Sequence, residues 1–326
     1  MEKLDLKDRK ILYELDIDSR LSFSHLGKKV GLHKDVVAYR VKNLLEKGII
    51  KNFYTEINYY KLGYSPIRFY LTYQNITQVI KQEIINYLGK SPYTEVIHLL
   101  EGQYDLCVIS TVKNVAKFCD IWNNIINKYR DFFSNQIFCV QSYYIEYKKI
   151  FLLDEKTDKK EDKILFEEGS NDQKIEIDNL DRKILELLVL NSRIPTLKIA
   201  EKLKSTATTI NSRIKRLVKT GVIINYTINT DYPKIGYQFY KSDIILKNFE
   251  IKQKIIDYIE KNPNLWGRVT SLGYVDLEIT FSLNNANQLH QIMGDLSSKF
   301  PDAIKSYKYF SVTNNQKYGG MDFWNR

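Results

Sequence analysis

The chain has 326 residues, more than one hydrophobic core holds; 44% are hydrophobic and 27% charged, the balance of a globular protein of two or more domains. Its formal net charge is +10. No apolar run nears the roughly 20 residues of a membrane-spanning helix, and MEKLDLKDRK at the N-terminus lacks a secretory signal's apolar stretch, so a cytoplasmic location and no membrane partner are expected.

In chain order, Ile11, Leu12 and Leu15 mark one face of a first helix. After Ser19-Arg20 a short helix, SFSHLGKKV, ends at Gly31, a residue suited to the tight turn between two helices. From Lys34 to Lys47, Val37, Val41, Leu44 and Leu45 face inward, leaving Lys34, Asp35, Ala38, Tyr39 and Lys42 outward. That outward face is short and polar at its start and basic farther on, which suits a recognition helix in the major groove of double-stranded DNA. Gly48 stops the helix, and Ile49 to Ile57 alternates as a β-wing would. Lys28, Lys29 and Lys51 are candidate phosphate contacts. His33, where a cap is wanted, is a surface residue or a DNA contact, and Arg40 a phosphate contact or an ion-pair partner of Asp8.

Residues 63–153 read as strand, helix, two strands around Gly102, helix and strand: the βαββαβ order of a ferredoxin-like sandwich. Residues 154–176, opening DEKTDKKEDK, read as a charged linker spanning about 25–30 Å.

Beyond the linker the pattern returns. DRKIL at Asp8 recurs letter for letter at Asp181, an offset of 173. The same offset carries Ser19-Arg20 onto Ser192-Arg193, Arg40 onto Arg213, and Gly48 and Gly63 onto Gly221 and Gly236. Gly102-Gln103-Tyr104-Asp105-Leu106 meets Gly273-Tyr274-Val275-Asp276-Leu277 at 171. The chain is a duplication: one helical head at 1–62 with its sandwich at 63–153, a second head at 177–236 and a second sandwich at 237–326. The heads hold the positive charge: 13 Lys and Arg against 9 Asp and Glu in residues 1–62, and 12 against 6 in 174–236, with the remainder neutral. Basic charge confined to the start of each repeat is what phosphate neutralisation requires.

The second head departs from the first. Lys204-Ser205 replaces the Gly-Leu turn, and Thr206 is a better cap than His33. Its outward face presents Ala207, Thr208, Asn211, Ser212 and Lys215; Asn211 could pair with adenine and Thr208 touch a thymine methyl. The copies are therefore expected to read different half-sites. Arg213 stands to Asp181 as Arg40 does to Asp8.

The LD-x2-D-x2-IL opening, the R-x-S-x3-L helix, V-x2-R-V-x2-L and the following G-I-I resemble the N-terminal domain of the Lrp/AsnC (feast/famine) regulators, and LDRKILELLVLNSRIPTLKIAEKLKSTATTINSRIKRLVKTGVI resembles it again. The resemblance implies an α+β chain of two tandem copies, each a winged helix-turn-helix followed by a RAM-type sandwich that assembles face to face. It further implies DNA binding at the nucleoid, and a small effector such as an amino acid near the Gly-x-Tyr-Asp turns. Gly102, Tyr104 and Asp105, with Gly273, Tyr274 and Asp276, match that position, where they also serve as ordinary turn residues. The copies pair within one chain or between chains, in a homodimer or higher oligomer. Two alternatives remain: a fused enzyme resembling siroheme decarboxylases, to which His98 and His290 contribute little, and an architectural protein that coats DNA.

No enzyme activity, metal or cofactor is expected. Cys107, Cys119 and Cys139 form no C-x-x-C pair, the four histidines lack H-x3-5-H spacing, and no Walker loop, nucleotide-binding glycine motif or G-x-S-x-G elbow occurs.

Overall fold

The computed structural model describes residues 2–153, 163–171 and 173–318, so the first part of the expected linker and the end of the expected C-terminal tail lie outside them. The first head is three helices, α1 (Leu6–Ile17), α2 (Phe23–Val30) and α3 (Lys34–Glu46). Asp5 and Ser22 cap α1 and α2 by accepting hydrogen bonds from backbone N–H groups of the first turn. Gly31 closes α2 at φ +68°. A Cβ on Gly27 would sit 2.5 Å from the Leu32 carbonyl oxygen, so glycine is what lets α2 lie against the turn that follows it.

A strand, β1 (Ile50–Ile57), leads into β2 (Ser65–Tyr73), α4 (Gln78–Lys90), β3 (Thr94–Gly102), β4 (Leu106–Val112), α5 (Val115–Tyr129) and β5 (Phe133–Tyr147). Within the segment expected as linker, Ile164–Gly169 forms a strand, β6, beside the end of β5. The second copy repeats the plan: α6 (Asn179–Leu190), α7 (Thr196–Lys202), α8 (Ala207–Lys219), β7 (Ile223–Thr230), β8 (Gln238–Leu246), α9 (Lys252–Ile259), β9 (Leu265–Leu272), β10 (Leu277–Leu283), α10 (Ala286–Lys299) and β11 (Ile304–Tyr318). Where the first copy has Gly31, Lys204 holds a left-handed conformation at φ +50°.

The copies pair within the chain and exchange parts. β1 forms no wing of its own; it runs antiparallel to β7, its counterpart in the other copy. The core of the first head, built on Ile11, Leu15, Leu26, Val37 and Val41, is completed by Ile228, Tyr232 and Ile235. The second head, built on Ile184, Leu188, Ile199, Ile210 and Leu217, takes Ile57, Tyr59 and Tyr64 in return. At the pseudo-dyad the Ser-Arg pairs of the repeat meet. The Ser19 and Ser192 hydroxyls lie 2.6 Å apart, Arg20 donates to the Ser192 carbonyl, and Arg193 donates to the Ser19 carbonyl.

The two sandwich sheets are likewise joined. β5 pairs with β2 along its first half and with β9 along its second; β11 pairs with β8 and then with β3. The strand order β2-β4-β3-β11-β8-β10-β9-β5, closed by β2–β5, makes a ring of eight strands with β6 outside it. Ile67, Phe69 and Leu71 pack outward under α4 and α5, so Arg68 and Tyr70 point into the ring.

Candidate nucleic-acid interface

Each head offers one helix to solvent. On α3, Lys34, Tyr39 and Lys42 are exposed, Tyr39 to 65%, and Ala38 is half-buried between them. His33 at the start of α3 makes no side-chain cap; its ring lies 3.2 Å from Asp35. On α8, Thr208, Asn211, Ser212 and Lys215 are exposed; Thr206 caps the helix through the Thr209 N–H, and Asn211 accepts a hydrogen bond from Thr196. The ridge flanking α3 carries Lys28, Lys29 and Lys51, of which Lys29 pairs with Glu14 at 2.7 Å and Lys51 with Asp231 at 3.3 Å.

Arg40 and Arg213, each read as a phosphate contact or an ion-pair partner, form ion pairs within their heads. Arg40 binds Asp5 and Asp8, both at 2.8 Å; Arg213 binds Asp178 at 2.6 Å and Asp181 at 3.4 Å. Asp181 also caps α6 reciprocally with Asp178 and accepts from Arg216, so these arginines fasten the recognition helix to the first helix. One exposed cation of the second head, Lys202, escaped the sequence reading. The repeat offset would have found it, since it falls on Lys29.

Of the six turn residues Tyr104 and Tyr274 meet between the two copies, and the others are engaged in their own turns and strand ends. Tyr104 is buried, its hydroxyl 3.1 Å from that of Tyr274, which also hydrogen-bonds Asp243; Tyr70 stacks between the two rings at 4.7 and 5.1 Å. Asp105 accepts from the Tyr73 N–H and Asp276 from the Leu246 N–H, each fixing a strand end. Gly102 turns at φ +123°, and a Cβ there would sit 3.3 Å from Phe310 of β11. Gly273 likewise turns at φ +88°. An open groove of about 550 Å³ lies beside Asp105.

Above the tyrosines the ring interior is charged. Glu278, fully buried, accepts from Arg68, from Lys241 at 2.7 Å and from Ser271, while Arg68 also donates to Gln141 at 2.9 Å. Burial pushes the Glu278 carboxyl up, but the charges of Arg68 and Lys241, with the hydrogen bonds of Lys241 and Ser271, hold it down to about 2. Beyond this cluster a cavity of about 200 Å³ opens under β1. Nothing in the sequence announced it, because Glu56, Glu95 and Glu146 occupy strand positions that read as solvent-facing. Among the described residues no group of three His, Cys, Asp or Glu side chains is placed to hold a metal ion, and no helix is long and apolar enough to cross a membrane.

The AsnC-type helix-turn-helix domain profile matches residues 4–45 and again 177–218. An uncharacterised HTH-type transcriptional regulator of Pyrococcus abyssi is 31% identical over 131 residues, 40% of this chain and 85% of that protein. The HTH-type transcriptional regulator Ptr1 of Methanocaldococcus jannaschii is 33% identical over 112 residues, 35% and 74%. Among solved structures, the siroheme decarboxylase NirDL overlays 98% of this chain with 96% of its own at a TM-score of 0.64 and 13% identity, a likeness of fold.

Proposed function

The chain belongs to the Lrp/AsnC family of HTH-type transcriptional regulators, and from that premise we propose that α3 and α8 are its recognition helices, entering the major groove of one duplex side by side. One observation carries this reading: the β1–β7 ribbon and the Ser-Arg contacts fix two heads, each with an exposed, basic helix face, as a single unit. Lys34, Ala38, Tyr39 and Lys42 then read bases or phosphates for the first head, and Thr208, Asn211, Ser212 and Lys215 for the second. Lys28, Lys29 and Lys51 flank the first as phosphate contacts, with His33 at the groove's edge. Head and sandwich limits at 62, 153, 176 and 236 follow the repeat offset, and a nucleoid location follows from DNA binding.

Fluorescence anisotropy with the upstream duplex of the chain's own gene and a scrambled duplex, across a salt series, tests this. A preference for the native duplex, with a log–log slope of about 0.9 per phosphate contact, is expected. Equal affinity for both would make the protein architectural instead, and absence of binding to either would remove the proposal.

An amino-acid effector belongs in the open groove beside Asp105, which Tyr73, Asn75 and Thr77 line, since Tyr104 and Tyr274 are already committed. Assembly beyond one chain would use the outer faces of the sandwiches, because their inner faces are closed within the chain. The whole-chain likeness to NirDL favours a second reading, decarboxylation of an iron tetrapyrrole. The cavity speaks against it: about 200 Å³ is too small for a tetrapyrrole. Siroheme incubated with the protein, followed by its Soret band and by loss of carboxylates, separates the readings.

A further inference from the structure

We propose that the segment following β11 docks in the cavity under β1, with the Phe323 ring inside it and Trp324 against α6, and so clasps the second head to the ring. The inference stands whether or not the heads bind DNA.

The first copy shows such a clasp in place. Where β5 ends, the chain turns through Ile150–Leu152 and packs on α1. All three residues are buried, Phe151 and Leu152 in the core of the first head. The Phe151 ring lies among Tyr232, Tyr237 and Trp266, at 5.9, 4.7 and 6.5 Å between centroids, and the Tyr237 hydroxyl donates to the Phe151 carbonyl. Beside it Lys149, wholly buried, binds Glu146 of its own strand at 2.5 Å and reaches Asp16 of α1 at 3.9 Å.

The repeat assigns the same place in the second copy to the segment after β11. Glu146 pairs with Gly267 as Tyr318 pairs with Val96, so the bulge between Asn315 and Lys317 has taken the offset from β5 to β11 from 171 to 172. Carried onward, Lys149 falls on Met321, Phe151 on Phe323 and Leu152 on Trp324. The strand also delivers the chain to the right spot, since Val96, the partner of Tyr318, lines the cavity.

The cavity in turn is the counterpart of the Phe151 site. Ile228, Tyr232, Phe239 and Trp266 surround the first head's core with Phe151; the repeat carries them onto Thr55, Tyr59, Pro66 and Glu95, and all four line the cavity. Thr, Pro and Glu are smaller than the Ile, Phe and Trp they replace, which opens the space. A dry cavity of about 150 Å³ accommodates benzene, so the 200 Å³ here holds a phenyl ring. The charges change together. Lys149, Glu146 and Asp16 become Met321, Tyr318 and Val189, the last of which also lines the cavity. Exchanging every member of a buried ionic cluster for uncharged groups leaves nothing uncompensated, whereas exchanging one alone strands a charge.

Trp324 reports the docking in the full chain. The difference in fluorescence between wild type and Trp324→Phe isolates its emission, which should be blue-shifted and shielded from acrylamide relative to the free peptide MDFWNR. Phe323→Ala should shift that emission to the red and expose it to the quencher. Met321→Lys and Val189→Asp should each do the same, and together should restore the wild-type signal by rebuilding the ion pair of the first copy. Wild-type emission as red and as readily quenched as the peptide's would overturn the proposal. So would an unchanged signal in Phe323→Ala, or effects of Met321→Lys and Val189→Asp that simply add in the double variant.

Discussion

Replacing Glu278 with glutamine keeps the side chain's shape and removes its charge, leaving Arg68 and Lys241 without the carboxylate that both of them bind. Two routes give the cost. Removing one member of a buried ion pair destabilises by about 3–5 kcal/mol. Independently, the folded carboxyl is held near 2 against an ordinary 4.5, and a difference of some 2.5 units at about 1.4 kcal/mol each is roughly 3 kcal/mol. Because the folded value is the lower one, this stabilisation is complete above 4.5 and disappears as pH falls through about 2. Urea unfolding monitored by circular dichroism should therefore show the variant about 3 kcal/mol weaker than wild type at neutral pH, with the gap closing as the solution is acidified. The repeat supplies a control. Cys107 pairs with Tyr70 across β4–β2 as Glu278 pairs with Asp243 across β10–β8, so Cys107→Glu combined with Glu278→Cys returns a carboxylate to Arg68 and Lys241 from the opposite sheet. That double variant should regain about half of the loss. A deficit under about 1 kcal/mol at neutral pH, or one that does not shrink in acid, would refute the claim that this carboxylate holds the ring's charges together.

Lys42→Ala and Lys215→Ala should each weaken DNA binding and reduce the salt slope by about 0.9, measured by anisotropy. Arg40→Ala should leave that slope unchanged and instead lower the first head's stability by about 1 kcal/mol in thermal melts, since its partners are Asp5 and Asp8. Lys204→Gly should raise stability by about 1 kcal/mol by relieving the left-handed backbone at φ +50°, and a fall in Tm would contradict it. With a folded value raised to about 8, Glu56 withdraws stability as pH climbs from 4.5 through 8; Glu56→Gln should melt higher than wild type at alkaline pH and equally in acid.

The helical heads were legible because their signals are local: Ile11, Leu12 and Leu15 on one face, Gly31 at the turn, and Val37, Val41 and Leu44 at helical spacing. The duplication was legible because DRKIL repeats unchanged. What the sequence left open was partnership. The alternation of β1 is the same whether it folds into a wing or lies against β7, and only the exchanged cores decide between them. Arg68 and Tyr70 alternate with Phe69 and Leu71 as water-facing residues of a lone sheet would; the second copy's sheet covers them and turns a wet face into an interior. The candidate residues divide similarly. The exposure of Lys34, Lys42, Asn211 and Lys215 follows from helical periodicity alone, whereas Arg40 and Arg213 had two readings in the sequence, and only the placement of Asp5, Asp8, Asp178 and Asp181 shows the ion pairs formed.

A dimer of identical subunits has no front or back: turned end for end, it meets a duplex in the same way. Here the dyad is only approximate, with Tyr39 and Lys42 on one head and Asn211 and Lys215 on the other, held together by one continuous backbone. A duplex gripped by these heads would be gripped in one direction, and its site has no need to be a palindrome. With the two copies joined end to end, such a grip would have a polarity along DNA, and the two sides of a promoter would not need to look alike to it.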